Sequence, residues 1–164
     1  LMAAQAQDTI IVDEDDPDNF DTIADGIGAV DEDGDVVVVR AGGYNESLTV
    51  NAGFDFVIEA RVDDDSGAEA VDINSLTIND AGQELTLRSD GTGFHRLDGG
   101  SPLLGLTAGT VSIDASRDVQ IRNQSPGGNA VRRSGGEISG DAPTFLGTAN
   151  VTYDVSGGDI TCLF

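Results

Sequence analysis

Few residues of this chain could perform covalent or acid–base chemistry. There is one histidine, His95, and one cysteine, Cys162. His95 lies in a glycine-rich segment without a serine or cysteine nucleophile in a recognisable setting, so no catalytic triad can be built around it. Cys162 is expected to be a small core residue, and a single cysteine excludes a disulfide scaffold within the chain. We therefore expect no catalytic residue and no cofactor.

Acidic and basic side chains supply two weaker candidates. Asp31, Asp33 and Asp35 resemble the start of a calcium-binding loop, but the bidentate glutamate that completes such a loop is missing at the proper offset. We expect them to be weak calcium candidates or simply part of a solvated acidic surface. Arg88 and Arg122 follow equivalent strands of a sequence repeat described below. We expect these arginines either to stack as a ladder along a groove or to balance nearby aspartates.

Three Asn-x-Ser/Thr triplets are acceptor motifs for N-glycosylation, and they begin at Asn45, Asn123 and Asn150. Two of them fall at expected corners between strands, where an exposed asparagine is plausible. Their modification requires an extracytoplasmic location.

The charge of the chain restricts its partners. It has 30 acidic residues and 8 arginines, no lysine, and a net charge of -22. No basic stripe could neutralise phosphates, so neither nucleic acid nor an anionic membrane is an expected partner. No apolar run approaches the length of a membrane span. Such charge becomes tolerable in molar salt, which screens repulsion to within about 3 Å, and the composition resembles that of haloarchaeal proteins and their viruses.

The acidic residues are unevenly distributed. Residues 1–72 contain 20 acids and 2 arginines, whereas residues 73–164 contain 10 acids and 6 arginines. We therefore expect the second half to be the part that contacts a partner, including another copy of the same chain.

The first 19 residues are expected to form an N-terminal tail with a short strand, Thr9–Val12, and an acidic loop at 13–18. Ala4-Gln5-Ala6 matches a signal-peptidase site, either as a processed remnant or by chance. A β domain is expected over 20–164. It begins with a helix whose apolar face recurs at helical spacing, capped by Asp18 or Asp21 and ended by residues 31–34; that face consists of Phe20, Ile23, Ala24, Ile27 and Val30.

Beyond the helix, the hydrophobic period changes to two and pairs of short strands repeat. The pairs lie at 47–51 and 56–59, 75–79 and 85–88, 110–114 and 119–122, and 150–154 and 159–162. Parallel stacking predicts one buried column of Leu48, Leu76, Val111 and Val151, and a neighbouring column of Val50, Ile78, Ile113 and Tyr153. Two folds fit this pattern: a parallel β-helix, or an antiparallel β-sandwich in which each pair is a hairpin.

The segment 20–60 resembles the opening of pectin-lyase-like parallel β-helices. It contains F-x-T-I at 20–23, G-D-x-V-x-V at 34–39 and G-x-Y-x-E-x-L-x-V at 42–50. The resemblance implies an all-β fold: a short right-handed single-stranded parallel β-helix of about five rungs with an N-terminal capping helix. The G-x-Q-A-V-A and D-F-I-F-G motifs of enzymes in that family are absent, so the resemblance concerns the fold more than an activity.

We therefore expect a non-enzymatic building block of an extracellular halophilic assembly, as a virion protein or a subunit of a cell-surface filament or layer. A glycan-binding surface module, with surface glycans as partners, is the alternative, and a polysaccharide lyase or esterase is less favoured. Self-association is expected because the last predicted strand, 159–164, would offer an open edge to another subunit. The expected interface residues are Ile10, Ile11, Val12, Arg88, Arg122, Arg132, Arg133, Ile160, Leu163 and Phe164.

Overall fold

Apolar and polar residues alternate along strands such as 47–50, 75–78 and 110–113, so each of these strands has one buried side and one outward-facing side. The computed structural model describes residues 7–62, 68, 70–99, 102–115, 118–122, 129–141, 144–146 and 152–155. In chain order its elements are β1 (Thr9–Val12), α1 (Ile23–Gly28), β2 (Val36–Arg40), β3 (Gly42–Gly43), β4 (Ser47–Val50), β5 (Phe56–Arg61), β6 (Ala70–Ile73), β7 (Ser75–Ile78), β8 (Glu84–Ser89), β9 (Phe94–Leu97), β10 (Leu104–Leu106), β11 (Thr110–Ile113), β12 (Val119–Arg122), β13 (Asn129–Arg133), β14 (Glu137–Gly140), β15 (Thr144–Leu146) and β16 (Thr152–Val155).

The strands form three parallel sheets that run along one solenoid. Sheet A has the order β1-β2-β5-β8-β11-β14, sheet B is β15-β12-β9-β6-β3, and sheet C is β16-β13-β10-β7-β4. The chain visits A, B and C in turn, and the result is a β-solenoid of about four turns. All described strand pairs of these sheets are parallel, so the antiparallel sandwich is wrong.

Each turn of the solenoid contains three strands, whereas the sequence repeat predicted two. The segments between the predicted pairs contain β6, β9, β10, β13, β14 and β15. These strands are three to five residues long. Such short apolar segments give little periodicity from which to recognise them.

The predicted side-chain columns are correct for the first two turns and wrong for the third. Leu48 and Leu76 are in register on sheet C, but the next member of their column is Leu104. Val111 lies on sheet A, between Leu85 and Ile138. The predicted column passes wrongly from sheet C to sheet A at its third member, because strands on all three sheets have the same alternation of apolar and polar residues.

The neighbouring predicted column has the same error. Val50 and Ile78 continue to Leu106 on sheet C, whereas Ile113 lies beside Leu87 on sheet A. The backbone of Tyr153 pairs with Val131, in the column of Leu48. Val151 lies outside the described residues.

The first strand belongs to the solenoid although the sequence placed it in a tail. β1 pairs in parallel with β2, and the Ile10 and Val12 side chains are buried in the core. Helix α1 packs at this end of sheet A. A Cβ added at Gly26 would lie 2.5 Å from Val12 Cγ2 and 3.2 Å from Val37 Cγ1, so the missing side chain permits this close packing.

The helix is shorter than its apolar periodicity predicted. Thr22, rather than Asp18 or Asp21, is the N-cap, and its side chain accepts a hydrogen bond from the Asp25 amide. Phe20 lies before the helix, forms a parallel bridge to Val12 and remains 39% exposed. Ala24 is also exposed, so the buried helical face is reduced to Ile23, Gly26 and Ile27.

Glu46 connects the helix to the turn that precedes β4. Its Oε1 accepts a hydrogen bond from the Ile23 amide at 2.7 Å, and its Oε2 accepts one from the Ala24 amide at 3.0 Å. A carboxylate at this position satisfies amides that have no partner within the helix. The glutamate of the G-x-Y-x-E pattern therefore holds α1 against the sheets.

Candidate functional site

The only histidine is a core residue. His95 occupies an inward position of β9, in register with Val71 and Val119, and is 1% exposed. Its Nε2 lies 3.0 Å from the Arg88 carbonyl oxygen and 3.2 Å from that of Ile58. Burial lowers the pKa of His95 to about 4. The ring is therefore neutral at pH 7 and donates from Nε2 to the backbone.

A charged cluster lies on the outer face of sheet A, formed by Glu59, Arg61, Arg88 and Asp90. Arg88 Nε donates to Glu59 Oε2 at 2.8 Å, and Arg61 Nη2 donates to Glu59 Oε1. Arg61 Nε also lies 3.3 Å from Asp90 Oδ2. Both oxygens of the buried Glu59 are thus engaged by guanidinium groups. This cluster is suited to cross-linking adjacent turns rather than to proton transfer.

Asp90 completes that cluster at the turn between β8 and β9. Burial opposes its charge, but hydrogen bonds from the Thr92 hydroxyl and amide and the charge of Arg61 outweigh burial and lower the pKa of Asp90. The carboxylate therefore remains ionised and holds the turn.

Of the two alternatives for Arg88 and Arg122, the stacked ladder is wrong. Arg88 is on sheet A, whereas Arg122 is on sheet B, where its Nη1 lies 3.8 Å from Asp98 Oδ2. The two arginines balance separate carboxylates because the third predicted strand pair begins on a different sheet from the second.

The calcium candidates Asp31, Asp33 and Asp35 lie in a turn. Backbone amides donate hydrogen bonds to the carboxylates of Asp33 and Asp35. Asp35 is fully buried; its Oδ1 accepts from the Asp8 amide at 3.0 Å, and its Oδ2 accepts from the Asp31 amide at 3.2 Å. Asp33 Oδ1 accepts from the Asp55 amide at 3.0 Å. Within the described part of the chain, no group of three or more His, Cys, Asp or Glu side chains could hold a metal ion.

Of the glycosylation candidates, the structure describes one. Asn45 is exposed and has a φ of 53°, and its Nδ2 donates to the Gly43 carbonyl oxygen at 2.8 Å. The position lies at the corner between sheets B and C, as expected for an acceptor site. Asn123 and Asn150 lie outside the described residues.

Several expected interface residues lie in the interior. Ile10 and Val12 are buried, and Ile11 is half-buried on the outward side of β1. Arg133 is also fully buried because it occupies an inward position of β13, in register with Leu106, and its Nε donates to the Gly136 carbonyl oxygen at 2.9 Å. Its expected surface role is wrong. Arg132 is exposed, and Ile160, Leu163 and Phe164 lie outside the described residues.

The outer edge of β1 borders an open groove of about 440 Å³. The groove is lined by Asp8, by residues 9–11 of the strand, and by Asp18, Asn19 and Phe20. Phe20 is the exposed large hydrophobic residue among those whose exposure the structure describes. At this edge, the Phe20 amide donates to the Ile11 carbonyl oxygen at 3.1 Å. Since β1 is the first strand of sheet A, its outer edge faces no other described strand over Thr9 and Ile10.

A second groove, of about 360 Å³, lies on the outer face of sheet B. It is lined by Gly42, Gly43, Ala68, Ala70, Asp72, Phe94 and Arg96. Arg96 Nη2 donates to Asp72 Oδ2 across adjacent strands. Sequence reasoning did not find this groove because β6 and β9 were not predicted, so nothing indicated that Asp72 and Arg96 would be neighbours.

No protein-family model, curated protein or solved structure matches the chain. No described helix is both long and apolar enough to cross a membrane.

Proposed function

We propose that the chain is a non-enzymatic building block of an extracellular halophilic assembly, as a virion protein or a subunit of a cell-surface filament or layer. The observation that carries the proposal is the edge of β1. Thr9 and Ile10 lie beside an open groove, with the exposed Phe20 at its border. A strand edge with an apolar neighbour is a surface to which another strand can add.

The occupant of this edge is a second copy of the chain. Residues 1–72 carry a net charge of -18 and residues 73–164 a net charge of -4, so a head-to-tail contact brings the acidic end of one copy to the less acidic end of another. The predicted strand 159–164 supplies the added segment, and Leu163 and Phe164 supply its apolar side chains. Arg132 is exposed on β13 in this less acidic half.

The solenoid is right-handed and pectin-lyase-like in this proposal, with α1 as its N-terminal cap. Parallel crossover connections are right-handed in about 98% of cases. The burial of Ile23 and Ile27 and the hydrogen bonds from Glu46 support the capping role. The arginines that engage both carboxylate oxygens of Glu59 favour a structural rather than a lyase- or esterase-like role for the outer face of sheet A.

Light scattering of the full chain in molar KCl tests the assembly. We expect concentration-dependent association that is abolished by deletion of residues 159–164 and weakened by Phe20→Ser. Asp21→Ser is the matched control, because Asp21 is exposed one residue away and does not line the groove. A monodisperse monomer at high concentration would overturn the proposal, as would equal association of Phe20→Ser and the deletion variant with the parent chain.

A glycan-binding module is the second candidate function, and the groove on sheet B favours it. This groove combines a carboxylate, a guanidinium and an aromatic ring on one open surface. Polar groups beside an aromatic face are the elements with which proteins bind sugars, because one binds hydroxyls and the other packs against C–H groups.

A further inference from the structure

The groove on sheet B results from a change in side-chain size between successive turns. Gly43, Asp72 and Arg96 follow one another in one outward column, and Ala70 and Phe94 in the next. The small residues of β3 and β6 leave a space that the large residues of β9 border on one side. The volume of about 360 Å³ lies within the range of about 300–1,000 Å³ typical of small-ligand clefts.

The ion pair in this groove has unused hydrogen-bonding capacity. Arg96 and Asp72 meet through Nη2 and Oδ2 alone, although arginine and a carboxylate commonly form two parallel bonds. Asp72 Oδ1 and Arg96 Nε are both buried without a hydrogen-bond partner. If these side chains turned toward a ligand, Asp72 Oδ1 would accept a hydrogen bond from it and Arg96 Nε would donate one. The ligand would then satisfy two buried atoms that are costly to leave unpaired.

We propose that this groove binds a neutral sugar unit of a glycan, an inference that rests on the second function proposed above. Adjacent sugar hydroxyls match the pair, because one hydroxyl donates to Asp72 while its neighbour accepts from Arg96. The C–H face of the ring packs on Phe94. A carboxylated sugar is disfavoured by Asp72 and by the net charge of -22.

Gly43 provides a variant that fills the groove without disturbing the fold. A Cβ added there would have Asn45 Nδ2, at 3.7 Å, as its nearest neighbour outside the adjacent residues, which is an ordinary contact. Gly43→Val therefore places a β-branched side chain in the groove on a strand that accepts it. Phe94→Leu is a second variant that removes the ring. Gln120→Ala is the control, because Gln120 follows Arg96 in the same outward column but does not line the groove.

The experiment is NMR titration of the ¹⁵N-labelled full chain in molar KCl with maltotriose and cellotriose, and with trigalacturonate as the acidic comparator. We expect a neutral trisaccharide to shift the Arg96 Nε–H resonance. Affinity should fall roughly tenfold or more in Gly43→Val and Phe94→Leu, and stay unchanged in Gln120→Ala. Circular dichroism of each variant checks that it is folded.

Three results would overturn the inference: no shift with either neutral trisaccharide, undiminished binding by folded Gly43→Val, or tighter binding of trigalacturonate. Light scattering of the same samples reports assembly separately. Loss of sugar binding with intact association would reject the groove and leave the structural role, whereas the reverse result would reject the assembly and leave the binding module.

Discussion

At the scale of single residues, His95 shows how a potential catalytic group becomes a structural one. Its ring is enclosed, and Nε2 donates toward the carbonyl oxygens of Arg88 and Ile58, which belong to successive strands of sheet A. A neutral imidazole therefore fixes the corner between sheets A and B. The sequence indicated that His95 lacked a nucleophile beside it, but its inward position could not be predicted without β9.

Because burial lowers the pKa of His95 from 6.5 to about 4, the folded state takes up its proton later than the unfolded state as pH falls. The contribution of His95 is fully present above pH 6.5 and is lost as pH decreases toward 4. We expect the free energy of unfolding to fall by about 3 kcal/mol more in the parent chain than in His95→Gln over this range. Urea unfolding at constant molar salt measures the difference, and parallel pH profiles would contradict it.

Glu59 provides a second prediction at this scale. Glu59→Gln leaves Arg61 and Arg88 close together without their shared carboxylate, so we expect it to lower the free energy of unfolding by about 1–3 kcal/mol. Asp98→Asn is the matched control, because Asp98 and Arg122 are both more than a third exposed, and such pairs contribute about 0–1 kcal/mol. Urea unfolding of both variants provides the comparison, and an equal effect would argue against a special role for the cluster.

At the scale of elements, the turns between sheets C and A stack so closely that some positions admit only glycine. Gly109 has a φ of +73°, and a Cβ there would lie 2.4 Å from the Asp80 carbonyl oxygen. Gly53 has a similar φ of +78°, but nothing lies within 4 Å of its added Cβ. The two positions share the same backbone preference and differ in the space around them.

Substitution of these two glycines distinguishes two costs of adding a side chain: the strain of a left-handed backbone conformation at both positions, and a steric clash with the neighbouring turn at Gly109 alone. Gly53→Ala should cost about 1–2 kcal/mol, the price of a left-handed conformation for a residue with a side chain. Gly109→Ala should cost more, because the backbone of the preceding turn must also move. Thermal unfolding monitored by circular dichroism tests the order of the two variants. Equal melting temperatures would show that the turns can separate.

The sequence allowed the strand alternation and most inward residues to be predicted, and it was less informative about which sheet each strand joins. Leu76 and Val111 both follow a polar residue and precede another, yet they belong to sheets C and A. A period of two distinguishes the inside of a strand from its outside, but it is identical on all three sheets. The groove depends on sheet membership, which is why Asp72, Phe94 and Arg96 could not be grouped beforehand.

At the scale of the whole molecule, charge should make folding dependent on salt. Loss of solvent contact and the charges of Asp35 and its acidic neighbours raise the pKa of Glu32, which indicates repulsion within the loop before β2. With 20 acids in residues 1–72, we expect the strand signal in circular dichroism to grow as KCl rises toward molar concentrations. Complete and unchanged stability in salt-free buffer with a chelator would contradict this expectation.

Because the strands stack in register, the length of the solenoid is set by the number of its turns. Leu85, Val111 and Ile138 occupy the same place in the cross-section of the solenoid, separated by 26 and 27 residues of chain. Duplication of one such segment would therefore bring the chain back to the same place in the cross-section, displaced by about 4.8 Å along the axis. Such a gene could lengthen or shorten its product in fixed steps while both ends, and whatever they contact, stay the same.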